Sequence, residues 1–518
     1  MTQQATELIA SQVGSAINNQ RTWGSIIYNV KDPQYGAKGD GVKDDTPRIT
    51  SAITAAAISG GVVVFPPGTY LTGSFSIPSN VTVWIQNGAK LSIKSGATVT
   101  INGPIDAGIY QIFSGLGTVS GVPRIPYAIP QWFGAKGDNT QDDGPAINAA
   151  LNFHDNVFLP CLSYGTTKYA VTTITLNNYK RIFALPGTLV FVIPADNTTF
   201  NIIGSYVSIE NLYILGTNTT SEAKPIFRFN TTAGNIRKVR ITNVEAVDAC
   251  AVFRDDNHPT NIVVDCYVDD VKITLPRGVP IKLYDFYAFN HFHKTIVDFT
   301  ANLTVPTFEA FHFENGQGLY MSRCDAFGYG PGTGNAASHG FVFINFQAVW
   351  LDRLDADTVG GYGFYFSGCQ FIEADQLIAS LCGIGGYYLF GCNDYHMDNI
   401  YAGGRVGLPW APAAAHGISI IQCGVGARIT NLTLKSNTGD GLNVSNTATG
   451  LFSNIVTNNN SGYGINETGT SNFNLFTNAF SFSNTVASGK LVGSSSNITN
   501  WKPNSGAYTA NSAGPITV

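Results

Sequence analysis

Carboxylates and large aromatic residues recur at matching offsets along the second half of this chain. Asp325 and Asp355 occupy the same place in successive repeats, with Glu245 further up that column. Two carboxylates on neighbouring coils of a stacked structure stand close enough that one pKa should rise, leaving an acid beside a base. Such a pair cleaves glycosidic bonds, with retention at about 5–5.5 Å separation and inversion at about 6.5–9.5 Å. Glu373 approaches from across a tight turn, and Glu314 lies in a separate column. The order of expectation for catalysis is therefore Asp325 and Asp355, then Glu373, then Glu314. Trp350 and Tyr320 offer ring platforms for sugars, and His396, Arg428, Tyr401 and Glu245 offer hydrogen bonds beside them. The alternative chemistry, β-elimination, needs a uronic acid substrate and a base, for which Lys272, His312, His396 and Tyr401 are available.

Repeats must position these residues. Glycine recurs at 340, 363, 386, 417, 441 and 464, with gaps of 23, 23, 31, 24 and 23, and the long gap holds an insertion, Gly403 to Ala415. A second signature, apolar, small or acidic, Asn-like, apolar, any, apolar, appears as IENLYI from Ile209 and ITNVEA from Ile241. It recurs as LDRLDA, MDNIYA, ITNLTL and FSNIVT. Alternation on both sides of the Asn predicts two short strands joined by a tight turn, with Asn in a left-handed conformation and its amide bonded to the next Asn. Short strands at a period near 23 describe the coils of a right-handed single-stranded parallel β-helix, an all-β solenoid. A propeller blade needs about 40 residues or more. Glu210, Asp352, Asp375 and Asp398, which precede the Asn-like position, read as turn residues bonding nearby backbone. Cys369, Cys392 and Cys423 read as stacked apolar fillers.

Composition agrees. Charged residues make up 12% of the 518, with 56 Gly and 12% aromatics, a poor mixture for helices and a good one for strands and turns. No basic run supports nucleic-acid binding, and no apolar stretch reaches the roughly 18 residues of a membrane helix, so neither nucleic acid nor membrane insertion is expected. Eight Cys without CxxC pairs suggest neither zinc nor a disulfide framework. His291 and His293 are spaced like a metal pair but lack a third ligand, so no metal and no cofactor is expected. The N-terminal residues lack a secretory pattern, so folding in a reducing cytoplasm is expected.

A coarser duplication opens the chain. QYGAKGDGVKDDTPRITSAITAAAISGGVVVFPPGTYLTG begins at Gln34, and QWFGAKGDNTQDDGPAINAALNFHDNVFLPCLSYGTTKYAVT begins at Gln131. Each predicts a glycine-rich turn, an Asp pair, a short helix and an apolar strand. Thr46 is expected to cap the first helix, with Pro47 in its first turn. The first copy, with YGAKGDG, DDT and VVFPPGTY in order, resembles the pectate-lyase-like (pectin-lyase superfamily) domain that opens many bacteriophage tailspikes and capsular polysaccharide depolymerases. That resemblance covers roughly residues 28–180 by motif. It implies a homotrimeric β-helical spike, folded in the host cytoplasm and carried on the virion tail or baseplate by its N-terminus. It further implies that the spike binds and hydrolyses a bacterial surface polysaccharide. The expected organisation is a lead over 1–22, the pectate-lyase-like part over 23–180, the β-helix over 181–470 and a β-rich tip over 471–518. The column Val342, Tyr365, Tyr388 and Phe390 is expected to be an exposed apolar stripe that joins subunits. A non-catalytic adhesin is the remaining alternative.

Overall fold

The structure is a computed structural model. It describes residues 27–518 except 162–167, 186–189, 194–197, 217–222, 257–259, 285, 301–308, 329–337, 405–414, 494, 504–508, 511–515 and 518. The expected N-terminal lead and most of the insertion between Gly403 and Ala415 lie outside the described residues. The chain divides into two units, one of residues 1–170 and 180–184, the other of residues 171–179 and 185–518.

Among the described residues the first unit holds short parallel strands and two α-helices, α1 (Thr46–Ala57) and α2 (Gly144–Phe153). Both copies of the GAKGD motif fold alike. The buried carboxylate of Asp45 accepts the backbone N–H groups of Lys38 and Gly39, each at 2.8 Å. Asp143 does the same for Lys136 and Gly137, at 2.8 and 3.0 Å. The second Asp of each pair thus anchors the glycine-rich turn onto the start of the helix. Thr46 is not the cap. It is the first residue of α1, and its hydroxyl accepts the N–H of Gly73 at 2.6 Å. One apolar face of α1, Ile49, Ala52, Ile53 and Ala56, is buried.

The second unit is a parallel β-helix. In the strand Gln347–Asp357, Val349, Leu351, Leu354 and Ala356 are buried, while Trp350, Asp352, Asp355 and Asp357 face outward. Arg353 in the middle has φ +53°. One left-handed residue shifts the alternation by a position and turns the strand from one outer face to the next. Strands with this corner follow in order. They are β1 (Ser208–Gly216), β2 (Arg240–Val247), β3 (Tyr267–Thr274), β4 (Tyr287–Asp298), β5 (Gln317–Ser322) with β6 (Asp325–Phe327), β7 (Gln347–Asp357), β8 (Gln370–Ser380), β9 (Asn393–Gly403), β10 (Arg428–Lys435), β11 (Leu451–Asn458) and β12 (Leu475–Phe482). All pair in parallel with the next coil. Between several Asn corners the expected amide ladder forms, while the corner residues Asn399 and Asn431 donate instead to Asp375 and Asp398. Asn243 donates to Asn211 at 2.8 Å, Asn454 to Asn431 at 2.9 Å and Asn478 to Asn454 at 3.1 Å.

The periodic glycines have a packing cause. A Cβ on Gly340 would lie 2.6 Å from the Gly363 carbonyl oxygen, and one on Gly441 would lie 2.7 Å from that of Gly464. Each coil passes directly against the next there, and only glycine fits. Inside, rings stack in register: Phe311, Phe341, Phe364 and Tyr387 follow at 4.7, 4.9 and 4.9 Å. Cys369, Cys392 and Cys423 are buried in the same interior, and none is in a disulfide.

The expected contact stripe is only partly exposed. Val342 is in register with Tyr365 and Tyr388 but is only 1% accessible, so it lies on their side of the strand under cover. His339 covers this region by stacking on Tyr365 at 5.2 Å. Phe390 is the most exposed member, at 37%. Among the described residues no helix is long and apolar enough to cross a membrane.

Candidate functional site

On one outer face of the second unit, the residues just before the corner line a cavity of about 690 Å³. It runs across β2, β3, β4, β5, β7, β8 and β9. Seven strands at a coil spacing of ~4.8 Å give a groove nearly 30 Å long. Its two side-chain columns follow from strand alternation, because residues i and i+2 share a face.

The first column is a ladder of rings. Tyr267 stacks on His291 at 4.6 Å, His291 on Tyr320 at 4.8 Å and Tyr320 on Trp350 at 4.3 Å, all within 11° of parallel. The Arg240 guanidinium closes the first end, 5.3 Å from the Tyr267 centroid. Rings stacked in this way cover one another's faces and present their edges to the groove. Only at Trp350 does the ladder end, with Glu373 and then His396 in the next two coils. The sugar platform expected of this column is therefore one face of Trp350, not every ring. His396 Nδ1 lies 3.3 Å from Glu373 Oε2, and both side chains are about half exposed.

The second column is Thr242, Asp269, His293, Ser322, Asp352, Asp375 and Asp398, all lining the cavity. The three aspartates expected to serve only the turn are thus groove residues. Their partners are side chains, not backbone amides. Asp352 accepts from Arg353 at 2.6 and 2.9 Å. Asp375 accepts from Asn399 at 2.8 Å and Gln376 at 3.3 Å, and Asp398 from Asn431 at 2.7 Å. These bonds hold the carboxylates in place and leave them facing the groove. His291 and His293 both line the groove and have different partners. His291 is the middle ring of the ladder, and burial lowers its pKa. His293 Nδ1 meets the Ser322 hydroxyl at 2.8 Å. Among the described residues no three His, Cys, Asp or Glu side chains converge as a metal site requires.

Of the residues singled out from sequence, Tyr320, Trp350, Glu373 and His396 line the cavity. Arg428 pairs in register with His396 one strand beyond it. Asp325, Asp355 and Tyr401 lie past the corner, outside the lining. Asp325 and Asp355 are register partners, as expected. Both carboxyls are raised, Asp355 to about 6. The main cause is burial. The charges of Asp357 and then Asp325 add less, so mutual repulsion is the minor cause. The buried Oδ1 of Asp355 has no hydrogen-bond partner. Glu245 does not join this pair, because Lys272 and Ile296 intervene in the column. Tyr401 lies beneath the Lys435 ammonium, 5.5 Å from its ring centre. Glu314 is on the other sheet, 3.3 Å from Nε2 of the buried His312, whose Nδ1 meets Glu309 at 2.5 Å.

Sequence reasoning missed Arg240, Tyr267, Asp269, His291 and His293 as groove residues. Their signal was present as i, i+2 pairs before the corner position. Asp269 and His293 stand in register with the aspartates that were assigned to the turn.

Residues 27–118 match the family described as rhamnogalacturonase A/epimerase, pectate lyase-like. Among curated proteins, the mannuronan C5-epimerase AlgE6 of Azotobacter vinelandii is 36% identical over 101 residues, 19% of this chain and 10% of that protein. The non-secreted LysM effector LysM19 of Penicillium expansum is 35% identical over 119 residues, 21% of this chain and 9% of that protein. The chain therefore spans about a tenth of the length of these relatives. Among solved structures, the Azotobacter vinelandii AlgE4 A-module is 12% identical with a TM-score of 0.30, covering 76% of this chain and 99% of that one. The Dettilon tailspike protein is 13% identical with a TM-score of 0.30, covering 76% of this chain and 68% of that one.

Proposed function

We propose that this protein is an endo-acting glycoside hydrolase of a bacterial surface polysaccharide, capsule or O-antigen, working as a homotrimeric tailspike attached to a phage tail. The observation that carries the hydrolase reading is the groove, where a ladder of rings ends on Trp350 beside a column of carboxylates. Its length suits an extended chain rather than a single sugar, hence endo cleavage. The pectate-lyase-like match over residues 27–118 supports a role in glycan processing, and the resemblance of the GAKGD motifs to those that open many bacteriophage tailspikes supports the tailspike reading.

Glu373 and Asp375 project from one strand two residues apart, ~6.8 Å along it. That spacing lies in the inverting range of about 6.5–9.5 Å. In this reading Trp350 holds the sugar and Glu373 protonates the glycosidic oxygen. Asp375, oriented by Asn399, takes the proton of the attacking water. A second catalytic pair, Asp325 and Asp355, is favoured by one observation: a carboxyl raised to about 6 keeps a proton to donate near neutral pH.

The test is to incubate the full chain with capsule and lipopolysaccharide preparations and analyse the fragments by mass spectrometry. Saturated oligosaccharides with new reducing ends support hydrolysis. Products absorbing in the ultraviolet would assign a lyase instead, and intact polymer throughout would leave only an adhesin. Light scattering that returns 55.3 kDa at micromolar concentration would overturn the trimer.

A further inference from the structure

The charge of the groove restricts what can lie in it. Among the described residues five carboxylates line it, Asp269, Asp352, Glu373, Asp375 and Asp398, and one guanidinium, that of Arg240. Arg240 sits at one end and is turned onto the Tyr267 ring. Arg353 is engaged with Asp352 and offsets its charge, which leaves the carboxylates of Asp269, Glu373, Asp375 and Asp398. The imidazole of His291 is held toward its neutral form by burial. Asp375 and Asp398 follow in successive coils, so a chain lying along that end of the groove meets a carboxylate at each of those steps. A polymer with one carboxylate per sugar would set like charges against like over that length. Between partly exposed groups about 4 Å apart each such encounter is repulsive.

We infer that the groove selects a glycan without uronic acids, neutral or bearing basic amino sugars, and excludes polyuronates. This rests on the groove being the glycan site. Carboxylates suit such a substrate in two ways. Each accepts hydrogen bonds from hydroxyl groups, and Glu373 beside the open face of Trp350 also suits an ammonium group. The same charge disfavours β-elimination here, since that reaction requires a uronate next to the cleaved bond.

The experiment is affinity electrophoresis of the full chain against dextran, chitosan oligosaccharides, polygalacturonate and alginate, with and without calcium, beside the cleaved capsule or O-antigen once identified. The expected result is retardation by amine-bearing or neutral chains and none by either polyuronate. The double variant Asp269→Asn/Asp375→Asn should gain polygalacturonate binding by about tenfold or more while keeping its melting temperature. Polygalacturonate or alginate bound by the unaltered chain as well as the neutral polymers, with or without calcium, overturns the inference while leaving a glycan site. So does a cleaved host glycan rich in uronic acid. A chain that neither binds nor cleaves any glycan removes the proposed function itself.

Discussion

Asp325 and Asp355 stand opposite each other on neighbouring parallel strands, and burial raises both carboxyls above the usual range. The pair is therefore a cost to folding at neutral pH. Asp355 titrates near 6 in the folded chain against 3.8 for a free side chain. Between those values the folded state binds more protons than the unfolded one, so stability falls as pH rises from 3.8 to about 6. Asp355→Asn removes that loss. The variant is expected to melt higher than the parent at pH 7, by the equivalent of about 1 kcal/mol after allowance for solvent screening, and to match it below pH 4. Thermal melts across that range check the sign; a variant less stable at pH 7 would show that Asp355 is paired in solution.

The glycine column gives a sharper stability test. Gly441→Ala brings a methyl group within 2.7 Å of the Gly464 carbonyl. Backbone cannot yield as a side-chain tip would, so a loss of about 1–3 kcal/mol or more is expected. Gly391→Ala meets no atom within 4 Å but carries φ +62°. It should lose only about 1–2 kcal/mol. Urea unfolding of the two variants compares them directly.

Those glycines show what was legible in the sequence. Their 23-residue period marks the coil because the contact between coils tolerates no side chain. The Asn column was legible for a similar reason, since Asn243, Asn431, Asn454 and Asn478 sit at φ near +50° and bond along the axis. The site was less legible. Asp352 and Asp355 are three residues apart and look like one surface patch, but the left-handed Arg353 between them turns the strand, and only Asp352 lines the groove. Acids beside a turn also have a ready structural role. Asp375 and Asp398 do bond the corner residues Asn399 and Asn431, and only the cavity lining shows that they also face the groove.

The free thiols should divide by burial. Cys161 is partly accessible and the other seven are buried. Burial pushes the Cys266 and Cys324 thiols up to about 12, and hydrogen bonding to Cys369, with burial adding less, does the same to Cys392. Thiolate is the reactive form, so these react slowly even when reached. A thiol reagent at pH 8 should titrate one cysteine within minutes and the remainder only in denaturant. Several fast thiols in the native protein would contradict the coil assignment around Cys369, Cys392 and Cys423.

Glu373 and Asp355 separate the two catalytic readings. Glu373 is exposed in the groove, next in the column to Trp350 and 3.3 Å from His396. Its replacement by Gln keeps the shape and removes the proton, so folding should be unaffected. If the groove carries the chemistry, Glu373→Gln and Asp375→Asn should each lower kcat by about a hundredfold or more, while Trp350→Ala chiefly raises KM. Asp355→Asn should then retain nearly full rate. The rate of reducing-end release, measured on all four variants with matched melting curves, decides between the sites. A hundredfold loss in Asp355→Asn, with Glu373→Gln active, moves the chemistry past the corner to the face of Asp325 and Asp355 and leaves the groove a binding surface.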